Sequence, residues 1–204
     1  MLILFYCKLI YIQYIKVQNK YKVNFGDNNM KNIAAFLFVV FFSFSVQAKV
    51  NLFAYSRPAP DTEIYYQDGT KHKLSEYKGD FVIALFWSKK CVPCVRELKS
   101  LDKFYKKTKG MGIKVVMISP KNEWETNLAQ SEFLKKYKAD NIDFYTDENG
   151  DLAADFGIFS YPHSVLINQD GEEIGRIRGQ MNWDSDKVLK YILDLRDGKY
   201  DVKK

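Results

Sequence analysis

The sequence predicts a mixed α/β domain, a central sheet with helices packed on both faces. Three observations predict it. Short β-branched and aromatic runs, residues 81–87 and 113–118, alternate with segments of helical period, residues 95–105 and 125–137. The last third carries a hairpin signal followed by one more helical pattern. The 156 residues from Lys49 onward suit one domain, and no repeat, long linker or low-complexity tract divides them.

Two stretches precede that domain. Met30-Lys31-Asn32 opens a run of small or apolar residues, 33–46, closed by Gln47-Ala48. A basic start, an apolar stretch of that length and small residues at its end make a secretory signal peptide over residues 30–48, with cleavage expected after Ala48. The run is short for a membrane span, which needs about 20 apolar residues. An uncleaved N-terminal membrane anchor is the competing reading. Residues 1–29 are rich in Tyr, Ile, Lys and Asn without a sustained period. They read as an over-extended bacterial gene start, against the alternative of a real N-terminal extension. Gly26-Asp27, read as GGA-GAT, would put a ribosome-binding sequence shortly before Met30.

These two stretches hold most of the net positive charge. Of the net +6, residues 1–29 contribute four lysines and one aspartate, and Lys31 adds one more, which leaves +2 for residues 49–204. The basic balance is therefore no sign of a nucleic-acid partner. Lys106-Lys107 and Lys135-Lys136 read as solvated helix faces.

Within the domain, Ser56-Arg57-Pro58-Ala59-Pro60 is expected to open the compact part after a short tether. Residues 63–66 and 72–74 flank Asp68-Gly69 as an N-terminal hairpin. Residues 81–87 form a buried strand, and Ser88-Lys89-Lys90 makes a turn. Leu98, Leu101, Phe104 and Tyr105 then recur at helical spacing. Gly110 and Gly112 break the chain before a second buried strand at 113–118. Helix 125–137 has Leu128, Phe133, Leu134 and Tyr137 on its apolar side. A short strand at 142–145 and a short helix at 152–156, ended by Gly157, come next. Residues 164–167 and 173–178 flank Gln169-Asp170-Gly171 as a hairpin. The final helix, 185–195, turns Val188, Tyr191, Ile192 and Leu195 inward.

The chemistry centres on Cys91 and Cys94, at the head of the first long helix. There the unpaired N–H groups and positive dipole end favour a thiolate. Such a pair can attack a disulfide with one sulfur and release it with the other. Half of a zinc site is the alternative, and it needs another C-x-x-C or two spaced histidines. The chain has only Cys7 besides, and its histidines are His72 and His163, far apart. Redox chemistry is the expectation, without metal or cofactor. Cleavage after Ala48 would also remove Cys7, and one exported cysteine pair points to catalysis rather than a disulfide framework.

From about residue 56 to 195 the chain resembles thioredoxin-fold proteins of the exported TlpA-like and ResA-like branch, within the AhpC/TSA-redoxin superfamily. Four segments carry the likeness: Ala59-Pro60-Asp61; Leu74-Ser75-Glu76-Tyr77-Lys78-Gly79; Phe86-Trp87 with Cys91-Val92-Pro93-Cys94; and Tyr161-Pro162 before Val165-Leu166-Ile167-Asn168 and Asp170-Gly171. The resemblance implies a thioredoxin-like α/β fold with an N-terminal hairpin and a central helical insertion between Ile118 and Tyr145. It makes Cys91 the exposed nucleophile and Cys94 the resolving thiol of a redox disulfide, with Pro93 shaping the helix start. It makes Pro162 a cis-proline facing the cysteines, and leaves the backbone of Tyr161 to pair with substrate near Trp87.

Two departures stand out. Thioredoxins bury an acid where this chain has Leu85. ResA-like members carry a glutamate at the position of Glu97, which implies a raised pKa and proton exchange with Cys94. The alternative for Glu97 is a solvated helix residue paired with Arg96 or the lysine-rich neighbours. Lys90 stands where the branch often has tryptophan, and with Lys89 it should lower the Cys91 pKa.

The implied function is an extracytoplasmic or periplasmic thiol–disulfide oxidoreductase. It would reduce specific protein disulfides, as in cytochrome c maturation or copper-site assembly, using electrons from a membrane thiol donor of the DsbD/CcdA type. One alternative is a DsbA-like oxidant, whose insertion would exceed the 67 residues between Cys94 and Pro162. Another is a Sco-type copper-binding chaperone, which spaces its cysteines by three and adds a histidine. His163 reads instead as a surface or rim residue.

Overall fold

A strand can be apolar along its whole length only where both faces of its sheet are covered. Phe81–Phe86 is such a strand, buried at all six positions, and the domain is organised around it. The structure, a computed structural model, describes residues 48–203. The expected upstream extension and all of the expected signal segment but Ala48 lie outside the described residues.

Eight strands form one sheet: β1 (Lys49–Pro58), β2 (Ile64–Tyr66), β3 (Lys71–His72), β4 (Phe81–Phe86), β5 (Ile113–Pro120), β6 (Phe144–Asp147), β7 (His163–Ile167) and β8 (Glu172–Arg178). Their order is β1-β8-β7-β4-β5-β6-β2-β3. The β4–β5 and β5–β6 contacts are parallel and the others antiparallel. The helices are α1 (Val92–Thr108), α2 (Asn127–Lys136), α3 (Asp151–Asp155) and α4 (Asp186–Arg196), with 3-10 turns at Leu74–Tyr77 and Lys121–Glu123. This is the mixed, helix-flanked sheet the sequence predicts, with the β2–β3 hairpin near its start and α2 as the central insertion.

Alternation along β4 divides the core in two. Phe81, Ile83, Leu85 and Trp87 pack with Leu98, Leu101 and Phe104 of α1, Leu134 of α2, and Ile192 and Leu195 of α4. Val82, Ala84 and Phe86 pack on the other face with Leu74, Leu152 and Phe156. Each fully buried large side chain contributes about 1.5–3 kcal/mol. The cysteine helix is therefore seated on a well-buried frame.

Two expectations are corrected. Residues before Ser56 are no tether, because β1 runs antiparallel along β8 from Lys49 to Pro58, with an irregularity between Leu52 and Arg57. Its backbone lies so close that a Cβ on Gly175 would stand 2.7 Å from the carbonyl oxygen of Asn51, so glycine alone fits there. Leu128 is 67% exposed rather than apolar-facing, and Gln130 takes the buried place on α2. Among the described residues, no helix is long and apolar enough to cross a membrane.

Candidate active site

Just past the C-terminal end of the central strand β4, Trp87 donates its N–H to the carbonyl of Ile118 at 3.0 Å. The chain then turns through Ser88, Lys89 and Lys90, and Cys91 closes the turn by donating its N–H to the carbonyl of Ser88 at 3.1 Å. Cys91 is the N-cap of α1, with an extended backbone, and its Sγ accepts the N–H of Cys94 at 3.2 Å. Pro93 falls in the first helical turn, where a missing N–H costs nothing. Cys91 and Cys94 are joined as a disulfide, with Cα atoms 5.3 Å apart.

The two sulfurs are not equivalent. Cys94 is 1% exposed and packs in the core, whereas Cys91 is partly exposed, with the exposed Val92 and Pro93 beside it. An incoming group therefore meets Cys91 first. A sulfur at the N-cap also receives an N–H donor and the positive end of the helix, both of which favour its anion.

Glu97, one turn beyond Cys94, is 2% exposed. Its Oε2 accepts the backbone N–H of Met181 at 2.8 Å. Burial pushes its pKa up to about 7, against the opposing pull of the Met181 N–H and the neighbouring Trp183 indole. That indole N–H meets no acceptor in hydrogen-bond geometry, so its pull is weak. No cation pairs with Glu97 among the described residues, so it is not the solvated partner of Arg96 or a lysine. Leu85 is fully buried and apolar, as the sequence implies.

On the neighbouring strand, the Tyr161–Pro162 peptide is cis. The β4–β7 register pairs Phe86 with His163, so Pro162 follows one step outward, at the level of Trp87. Pro162 is buried, its carbonyl accepting the N–H of Gly179 at 3.0 Å. Tyr161 is half-buried, and burial raises its phenol pKa, with Glu123 and Asp147 adding to the effect.

His163 is not a rim residue. It is 4% exposed, and its pKa is pushed down to about 4 by burial, then by Arg176 and Arg178. By the alternation of β7 it shares the face of Val165 and Ile167, whose core excludes Cys94. It therefore points away from the dithiol.

Lys90 is exposed, with no acidic partner for its ammonium among the described residues, while the Lys89 ammonium lies 4.8 Å from the centroid of the Trp124 ring. Sequence reasoning missed Glu123. Its Oε1 accepts the hydroxyl of Ser88 at 2.6 Å and its Oε2 the backbone N–H of Lys89 at 2.9 Å. Its one sequence signal is position, an acid just past the buried strand at 113–118.

Residues 55–193 match the Redoxin family. The chain belongs to that family. Thiol-disulfide oxidoreductase ResA of Bacillus cereus (strain ATCC 10987 / NRS 248) is 28% identical to this redoxin over 150 residues, spanning 73% of this chain and 83% of ResA. The crystal structure of StoA from Bacillus subtilis matches with a TM-score of 0.54 and 26% identity, over 66% of this chain and 98% of StoA. A secreted thiol-disulfide isomerase from Corynebacterium glutamicum shares the fold, with a TM-score of 0.61, 20% identity, and 76% and 95% coverage. With its C-x-x-C disulfide, this redoxin is a ResA-like thioredoxin-fold protein and a thiol–disulfide oxidoreductase.

Proposed function

We propose that this redoxin acts outside the cytoplasmic membrane as a reductase of particular protein disulfides. The observation that carries the reading is the asymmetry of the pair. Cys91 is reachable at a helix N-terminus, and Cys94 is buried one turn from an uncompensated acid.

In the forward direction the Cys91 thiolate attacks one sulfur of a client disulfide. That bond breaks, the second client sulfur leaves as a thiolate and takes a proton, and a mixed disulfide remains. Cys94 then loses its proton to the Glu97 carboxylate and attacks Cys91 Sγ. The mixed disulfide breaks and the client departs with both sulfurs reduced. The enzyme is left with the Cys91–Cys94 disulfide, two electrons poorer. A dithiol donor at the membrane, of the DsbD/CcdA type, would restore the thiols. Pro162, Tyr161, Trp87 and Pro93 would form the surface on which an extended client segment lies.

The apolar run at 33–46 supports export, and a secreted relative is consistent with it. Apocytochrome c or copper-site cysteines are the client class we favour, by likeness to ResA. A Sco-type copper chaperone gains nothing from His163, which faces away from the cysteines. A DsbA-like oxidant fits poorly with the ten-residue α2 between β5 and β6.

Trapping tests the reading. A Cys94→Ala variant at native level should accumulate mixed disulfides through Cys91, and mass spectrometry should identify a client and a membrane donor. Recovery of copper with no trapped protein would contradict it.

A further inference from the structure

The turn that delivers Cys91 is tied to a distant part of the chain by one carboxylate. Glu123 receives the Ser88 hydroxyl on one oxygen and the Lys89 N–H on the other. Ser88 Oγ in turn accepts the N–H of Lys90 at 3.1 Å, and the Ser88 carbonyl accepts that of Cys91. Glu123 therefore holds Ser88 and Lys89, and Ser88 in turn holds the N–H groups of Lys90 and the nucleophile. Glu123 closes the 3-10 turn after β5, a strand held in parallel register with β4 up to Phe86 opposite Ile118. The next residue, Trp124, is 6% exposed, donates its indole N–H to Ser119 Oγ at 2.8 Å, and packs on Trp87 at 5.7 Å between ring centroids. The carboxylate thus sits on an anchored support.

A carboxylate beside a thiolate disfavours ionisation of the sulfur, so Glu123 is not there to activate Cys91 by its charge. We propose that Glu123 is a positioning residue, which locks the Ser88–Lys90 turn so that Cys91 Sγ stays on the Cys94 N–H at the tip of α1. The proposal rests on the redox reading and adds a residue to it. The charged and titratable groups nearest Cys91 along the chain are Lys89 and Lys90 on the turn and Cys94, Arg96 and Glu97 on α1; Glu123 after β5 holds the turn, and Tyr161 ahead of β7 feels the Glu123 charge.

Two substitutions separate geometry from charge. In Glu123→Gln the amide oxygen can accept the Lys89 N–H and the amide N–H can donate to Ser88 Oγ, so the clamp survives while the charge goes. Glu123→Ala loses both. In the reduced full chain, the pH dependence of Cys91 alkylation by iodoacetamide reads the thiol pKa, and exchange with a disulfide peptide above that pKa reads the positioning.

Glu123→Ala should move the Cys91 pKa up, toward the ~8.5 of a free thiol. It should also slow the exchange about tenfold even when the thiolate is fully formed. Glu123→Gln should move the pKa down or leave it, and restore most of the rate. A rise in Glu123→Ala with no rise in Glu123→Gln is the signature of a clamp. Shifts of the same sign, or wild-type values for Glu123→Ala with native circular dichroism, would overturn the proposal. If Glu123→Ala does not fold, Ser88→Ala keeps the carboxylate and its hold on the Lys89 N–H but removes the hydroxyl that joins Glu123 to Lys90. It should raise the Cys91 pKa by a smaller amount, and no rise would equally overturn the proposal. A wild-type protein whose Cys91 is alkylated but exchanges with no disulfide would instead refute the redox reading.

Discussion

Glu97 beneath the dithiol and Glu173 at the β1–β8 edge are both almost fully buried, at 2% and 1% exposure. Their surroundings differ. Glu173 holds Arg176 through Nε and Arg57 at 2.8 Å, and Arg176 also donates to the carbonyl of Phe156 at 2.7 Å. Glu97 has one backbone N–H and no cation among the described residues. A buried ion pair offsets the loss of water by mutual attraction, whereas an unpaired buried acid keeps its proton until the pH is high enough to strip it. Glu173 therefore belongs to the architecture of the sheet edge, and Glu97 keeps a proton exchangeable near neutral pH, one helical turn from Cys94.

The sharpest way to break this contrast is to remove the paired acid. Glu173→Ala strands Arg176 and should cost about 3–5 kcal/mol of stability in urea denaturation. The Cys91 pKa of the folded fraction should stay at its wild-type value. A change below 1 kcal/mol would make the pairing incidental.

Glu97 should behave in the opposite sense with pH. Its folded pKa of about 7 lies above the ordinary value of 4.5, so between the two the folded state holds a proton that the unfolded chain releases. The stability tied to Glu97 is present below pH 4.5 and lost as pH rises through 7, by roughly 3 kcal/mol in total. Glu97→Gln should flatten that part of the stability–pH curve in the oxidised protein. A wild-type curve that rises from pH 5 to 8 by that amount would contradict the assignment.

The same variant sharpens the functional half of the comparison. If Glu97 takes the proton of Cys94, Glu97→Gln should slow resolution of a preformed mixed disulfide about 10²-fold at pH 7. The first attack by Cys91 should be nearly unaffected. Stopped-flow measurement of the two steps separates them, and equal slowing of both would point to a general disturbance.

The smallest expected effect is at the rim. Lys90→Trp should raise the Cys91 pKa by a few tenths of a pH unit, since solvent screens an exposed ammonium. No change on thiol titration would assign Lys90 to the contact surface alone.

Much of the fold was legible in the sequence because the central strands are buried on both faces and α1 carries its apolar residues at helical spacing. The edge strand was not. In β1 (Lys49–Pro58) every residue is exposed or only partly buried, so no apolar pattern marks it, and its place comes from pairing with β8. Leu128 misled for a related reason. Gln130 occupies the inward position because its amide donates to Ser119 Oγ at 3.0 Å, a tertiary satisfaction that hydrophobic spacing cannot show. At the site, Cys91 and Cys94 could be read from local spacing, whereas the placement of Glu97 and the proline came with the family likeness. Glu123 meets its turn across more than thirty residues, and the burial of His163 depends on which face of β7 it shares.

The most direct test of the account is the reactivity of each sulfur in the reduced protein as pH is raised, followed by alkylation and mass spectrometry. The account predicts that Cys91 reacts first, with a pKa below the ~8.5 of a free thiol, while Cys94 resists until higher pH. Equal alkylation of both cysteines at the pKa of a free thiol would contradict it.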